Sequence, residues 1–160
     1  MSVFKVGMCE MLVVTPPDTL STSGLGSCIG ICLYDPLKKV AGMAHIMLPD
    51  STQARGNINE ARFADSAIPA LINIMLTKGA AKERMVAKIA GGAQMFNFNN
   101  LNDIMRVGER NGFAVLAKLK QEGIPVLEQD IGGNFGRSIK FDPEDGKVYI
   151  LTLDKGVSII

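Results

Sequence analysis

The chain has 160 residues, 21% of them charged, and a formal net charge of +1, a balance that gives no electrostatic footprint for nucleic acid or an anionic membrane. Its best apolar run, residues 67–76, is too short to span a bilayer and carries Pro69 and Asn73, while Lys5 and Glu10 interrupt the N-terminal apolar stretch and argue against a signal peptide. Three cysteines, an odd number, describe no disulfide framework, so the expectation is a soluble, reduced, cytoplasmic protein of one domain, burying roughly 70% of its unfolded surface.

Residues 3–14 are apolar apart from Lys5 and Glu10 and predict a strand pair or one long strand, closed by Pro16-Pro17-Asp18. Residues 20–26 are small and polar and predict a tightly bending loop. Residues 29–34 and 40–48 predict two strands, ended by Asp35-Pro36 and Pro49-Asp50. Their connection has hairpin-loop length, which makes them antiparallel neighbours. Residues 51–59 read as a polar surface loop. Apolar spacing at Phe63, Ala67, Ala70, Leu71, Ile74 and Met75 predicts a helix over 61–76, bent or begun near Pro69 and ended by Gly79.

Residues 85–90 predict a strand running into Gly91-Gly92-Ala93-Gln94-Met95-Phe96 and an Asn-rich loop. A second helix covers 108–122, with Val115, Leu116 and Leu119 inside and Gly123 as its stop. Strands at 124–130, 137–141 and 147–153 follow, joined by turns at 132–134 and 142–146. The pattern predicts a single α/β domain over residues 1–160, with mixed β-sheets packed in layers and flanking helices, not a doubly wound fold.

Cys28 follows Gly24 and Gly26 in the bend before one predicted strand. His45, the only histidine, lies seventeen residues later, near the end of the next. A thiol needs a base at neutral pH, and imidazole is the side chain whose ordinary pKa lies nearest that range. In a hairpin the start of one strand lies beside the end of the other, so thiol and imidazole come within reach. The glycines let the backbone approach a substrate and let the Ser27 and Cys28 amides converge on an oxyanion. A hydroxyl of Ser21, Thr22 or Ser23 can orient the imidazole, and the residues leave that choice open.

Bland alternatives stand beside this reading. Cysteine is often a small core residue, the reading for Cys9 and Cys32, and a lone histidine in an apolar strand is often a satisfied core group. Cys9, Cys28, Cys32 and His45 form a permissible zinc set, but the Cys28–Cys32 spacing falls in a strand and not in a zinc knuckle. Gly24-Leu25-Gly26 lacks the remainder of a dinucleotide motif, and Gly91-Gly92-Ala93 has no Walker lysine. The nine methionines, among them Met43, Met47, Met75, Met85, Met95 and Met105, suit core packing or a surface for a partner helix.

The run 22–36, Gly42-Met43-Ala44-His45, Leu48-Pro49, the run 63–69, Gly91 through Phe96, Gly108-Glu109-Arg110-Asn111, the run 130–137 and Phe141 ahead of Gly146-Lys147-Val148 together resemble the CheD family, chemoreceptor glutamine deamidases of bacterial chemotaxis. The ordered set spans nearly the whole chain. The resemblance implies a cysteine hydrolase with Cys28 as nucleophile, His45 as base and Thr22 as third polar residue, and no cofactor or metal. It implies methyl-accepting chemotaxis receptors as substrate, glutamate methyl esters as possible further substrates, and the CheC phosphatase as partner. It implies sheets packed face to face with helices outside, similar to the catalytic domain of cytotoxic necrotising factor toxins. The alternative it leaves is a non-catalytic adaptor that binds and stimulates CheC.

Overall fold

Alternation along Ile29–Asp35 (β4) sorts its side chains onto two faces, Ile29, Ile31 and Leu33 on one and Gly30, Cys32 and Tyr34 on the other. Every residue of this strand is buried, which marks it as central. In the computed structural model, which describes residues 1–52, 54–95 and 106–160, β4 sits in the middle of a five-stranded sheet. It pairs antiparallel with Val40–Ile46 (β5) on one side and Val86–Gly91 (β6) on the other. Met11–Val14 (β2) lies antiparallel outside β5, and Val126–Ile131 (β7) lies parallel outside β6.

A second sheet runs in the order Val3–Lys5 (β1), Thr19–Leu25 (β3), Arg137–Phe141 (β8), Val148–Thr152 (β9) and Gly156–Ile159 (β10), with only β1 and β3 parallel. Both sheets are therefore mixed. Two helices, Ala64–Thr77 (α1) and Val107–Gln121 (α2), lie against the first sheet. One apolar cluster joins Ile29, Ile31, Leu33 and Ile46 to Ile68, Leu71, Met75, Val115 and Leu119 of the helices. The other fills the space between the sheets with Leu20, Leu25, Cys28, Cys32, Met43, Ile139, Phe141 and Ile150. The order of layers is sheet, sheet, helices, so both helices cover one face only.

The hairpin turn at the far end of β4 is held by Asp35. Its buried carboxylate accepts the amides of Leu37, Lys38 and Ala81 and a two-pronged contact from Arg84, Nη2 at 2.8 Å. Burial opposes ionisation here, but the guanidinium and the amides outweigh it and bring the carboxyl pKa down to about 2.

The predicted hairpin, both helices and the strands from β6 to β9 are present, with ends shifted by up to two residues except at the start of α1, which comes three residues late. Four expectations change. Residues 20–26 are not a loop: they fall mostly in β3, whose Leu20 and Thr22 point inward while Ser21 is half-buried and Ser23 exposed. Gly24, at φ +73°, forms a bulge between Thr22 and Leu25 that lets both face the core although they are three apart. Residues 3–14 form neither a pair nor one strand, because β1 and β2 belong to different sheets and the turn between them crosses from one layer to the other.

Residues 60–62 form a short 3-10 turn, and α1 begins five residues before Pro69. It buries Ile68 and Ile72 and exposes Ile74, while Ala70 stays half-buried. The exposed edge strand β10 is unforeseen. Phe96, the Asn-rich loop and Met105 lie outside the described residues.

Candidate active site

The ladder between β4 and β5 pairs Gly30 with His45 and Ile29 with Ile46. Cys28 immediately precedes β4, so His45 lies on its diagonal, with glycine alone between them on that face. Both face the second sheet. A side chain on Gly30 would press on the apolar filling: an added Cβ would meet Ile139 Cδ1 at 2.7 Å and Leu25 Cδ1 at 3.2 Å.

The second sheet contributes Thr22. Its Oγ1 lies 2.7 Å from His45 Nδ1 and donates its hydrogen to the Val6 carbonyl at 2.6 Å. A hydroxyl has one hydrogen to give, so Thr22 accepts from Nδ1–H. The imidazole therefore carries its proton on Nδ1 and keeps a lone pair on Nε2, which is buried with no hydrogen-bond partner among the described residues. All three groups are withdrawn from solvent, at 6% exposure for Cys28, 1% for His45 and 2% for Thr22.

Burial is the main influence on both titrating groups. It pushes the Cys28 thiol above its ordinary value of 9.0; the nearby Cys9 adds to the rise, and Cys28's own amide opposes it. Burial likewise pushes His45 below its ordinary 6.5. At neutral pH the resting pair is thus thiol and neutral imidazole, not an ion pair. Such a pair supports nucleophilic attack only when proton transfer to Nε2 accompanies it.

The backbone around Cys28 is clamped from two directions. The Gly92 amide donates to the Cys28 carbonyl at 2.9 Å and the Ala93 amide to Gly26 at 2.8 Å. Gly91, at φ +117°, has no room for a Cβ, which would collide with the Cys28 carbonyl. Arg137, 3% exposed, braces this turn through Nη1 to the Gly91 and Gly132 carbonyls and Nη2 to Asp130 at 3.2 Å. From the helical side, Asn111 Nδ2 reaches the Ser27 carbonyl at 2.9 Å and the Met47 carbonyl at 3.0 Å. In the sequence, Gly91-Gly92-Ala93, Asn111 and Arg137 belong to the blocks that carry the family resemblance, but none of them has a role assigned there. The available signal was a polar residue at a core position: Asn111 sits on the face of α2 that buries Gly108, Val115 and Leu119.

The alternation of β3 decides among the three hydroxyls, since Thr22 alone turns inward. Cys32 is buried among apolar groups, but Cys9 is only half-buried and has a left-handed φ of 61°, so it is not a core residue. Among the described residues no three His, Cys, Asp or Glu side chains cluster as metal ligands. Met43, Met75 and Met85 are core, Met47 is half-buried, and Met95 is 45% exposed against Gly26. Among the described residues no helix is long and apolar enough to cross a membrane.

Comparison with known proteins bears on the whole chain. The model of a family described as "CheD chemotactic sensory transduction" matches residues 47–152, a span that begins beyond Thr22, Cys28 and His45. The chain is 54% identical over 151 residues to the "Probable chemoreceptor glutamine deamidase CheD" of Lachnoclostridium phytofermentans, covering 94% of each. It is 51% identical over 155 residues to the "Chemoreceptor glutamine deamidase CheD" of Halalkalibacterium halodurans, covering 96% of each. A Syntrophomonas wolfei protein with the same name as the first is 50% identical over 158 residues, covering 99% of this chain and 98% of that one. Among solved structures, the hypothetical protein YfiH of Bacillus licheniformis aligns with a TM-score of 0.44 at 12% identity, covering 75% of this chain and 49% of that one, too distant to carry an argument.

Proposed function

This chain belongs to the CheD family, and we propose that it hydrolyses the side-chain amide of chemoreceptor glutamines to glutamate, with Cys28 as nucleophile. The observation that carries the reading is the contact between Thr22 and His45, which leaves Nε2 as an unpartnered base on the face shared with Cys28. A core histidine kept only for packing would have both ring nitrogens satisfied.

In this reading, Nε2 takes the Sγ proton as sulfur adds to the carboxamide carbon. The Ser27 and Cys28 amides receive the negative oxygen. The His45 imidazolium then passes its proton to the departing nitrogen, and ammonia leaves a thioester. Water, losing a proton to Nε2, adds to that thioester; glutamate departs and the thiol is restored. Thr22 holds Nδ1–H throughout and stabilises the imidazolium. A glutamate methyl ester would enter the same thioester with methanol as leaving group, so methylesterase activity belongs to the proposal.

Receptor helices are the proposed substrate surface, the cytoplasm the proposed compartment, and the CheC phosphatase the proposed regulatory partner; these rest on the family resemblance. So does a likeness to the cytotoxic necrotising factor catalytic domain, which the layered sheets support. The test is Gln-to-Glu conversion on receptor cytoplasmic fragments, followed by peptide mass. The expected result is conversion by the wild type and none by Cys28→Ala. Undiminished conversion by that variant, or none by the wild type across a competent receptor set, overturns the reading.

A further inference from the structure

We infer that Asn111 is a positioning residue that aims the Cys28 N–H at the oxyanion formed during glutamine hydrolysis, an inference that rests on the cysteine-hydrolase reading above. Asn111 is fully buried on α2, and its side-chain NH2 donates to two backbone carbonyls, Ser27 at 2.9 Å and Met47 at 3.0 Å. These carbonyls close the open end of the β4–β5 hairpin, two residues before Ile29 and one after Ile46, its last ladder pair. One belongs to the residue directly before the nucleophile.

The geometry of a single peptide links this contact to the chemistry. Pro16–Pro17 is the only cis bond among the described residues, so the Ser27–Cys28 peptide is trans and its carbonyl and N–H point in opposite directions. Asn111 draws the carbonyl towards α2, on the helical side of the first sheet. The Cys28 N–H is thereby turned to the other side, where the thiol, His45 and Thr22 lie. That amide lies near enough to its own sulfur to favour the thiolate, so an acyl carbon bonded to sulfur would place its oxygen within the reach of the same donor. A donor already aimed need not reorient as charge develops, which is where such groups have their effect.

The remaining atom of the side chain argues the same way. Asn111 Oδ1 is buried without a hydrogen-bond partner among the described residues. An apolar side chain would spare that cost but deprive the Ser27 and Met47 carbonyls of this donor, so the two donations are what hold asparagine at this position.

Asn111→Ala and Asn111→Ser are to be compared with the wild type in melting temperature, in steady-state deamidation of a receptor fragment and in alkylation of Cys28 by iodoacetamide. Alkylation displaces iodide from a saturated carbon and develops no oxyanion, so it reads the nucleophile alone. The expected result is a kcat lower by on the order of 10²-fold, as for loss of an oxyanion donor, with KM unchanged within about twofold. Alkylation should stay near the wild-type rate in the same variants. If Asn111→Ala does not fold, the same pair of rates on Asn111→Ser decides. An unchanged kcat overturns the inference, as does a parallel fall in deamidation and alkylation, which would place Asn111 in general support of the nucleophile. Either result, with Cys28→Ala still inactive, leaves the parent reading intact. Deamidation independent of Cys28 overturns both.

Discussion

The two faces of the β4–β5 hairpin come from the same fourteen residues and obey different rules. Towards the helices it presents Ile29, Ile31, Leu33, Ala44 and Ile46, a surface that needs only the right volume. Towards the second sheet it presents Gly30, Cys32, Met43 and His45, with Cys28 at its start. Here volume is not enough, because the imidazole needs a hydroxyl from another sheet with its lone pair facing the right way. One face supplies stability and the other a directed hydrogen bond, so the two should separate under mutation.

The largest separation is expected at Thr22. Thr22→Val keeps the shape but removes the acceptor for Nδ1–H, so the ring loses its fixed tautomer. Deamidation should fall by roughly 10²- to 10³-fold, and Thr22→Ser should recover most of it. Steady-state kinetics on a receptor fragment, alongside thermal melts, would read this. Equal activity in Thr22→Val would mean that the contact between the sheets is only packing.

Leu33→Ala, on the helical face, should do the reverse. It empties a fully buried site and should cost about 2–5 kcal/mol in urea unfolding, while the folded fraction keeps its kcat/KM. A loss of specific activity at Leu33 matching that at Thr22 would break the division between faces.

A matched pair of glycines sharpens it further. An alanine Cβ at Gly30 would press on Ile139 and Leu25 beside His45, and one at Gly42 would press on Met75 and Leu71, at 2.8 and 3.0 Å, below the helices. Each should cost about 1–3 kcal/mol by overpacking. Only Gly30→Ala should also lower the activity of the folded protein, since residue 30 is the cross-strand partner of His45.

The smallest effect is in pH. Because the native His45 pKa lies below its ordinary 6.5, the acid limb of kcat/KM should fall below that pH. The unfolded chain takes up this proton first, so the corresponding stability is complete above 6.5 and is lost as pH drops through the native value. Urea titrations of wild type and His45→Gln should differ in slope across that window; identical slopes would mean that the histidine is not held neutral by burial.

Local pattern in the sequence determined much of this molecule. Period-two alternation and a short connection defined the hairpin, and with it the nearness of Cys28 and His45, because neighbours in a hairpin are set by counting residues from the turn. The stop at Gly123 and the apolar spacing before it similarly defined α2. The strand β3 was not legible, since small polar residues and a glycine bulge disguise its alternation. The exposed β10 offers no buried face to read. Thr22 was one of three equivalent hydroxyls until the family resemblance singled it out, and Asn111 belonged to a block of that resemblance with no role attached.

Tertiary structure alone decided in which direction the hydrogen bond between Thr22 and the imidazole runs, and which side chain grips the peptide before the thiol. The reason is physical: these contacts join one sheet to the other and a helix to a strand end. They depend on how whole layers pack, and no spacing along the chain encodes that.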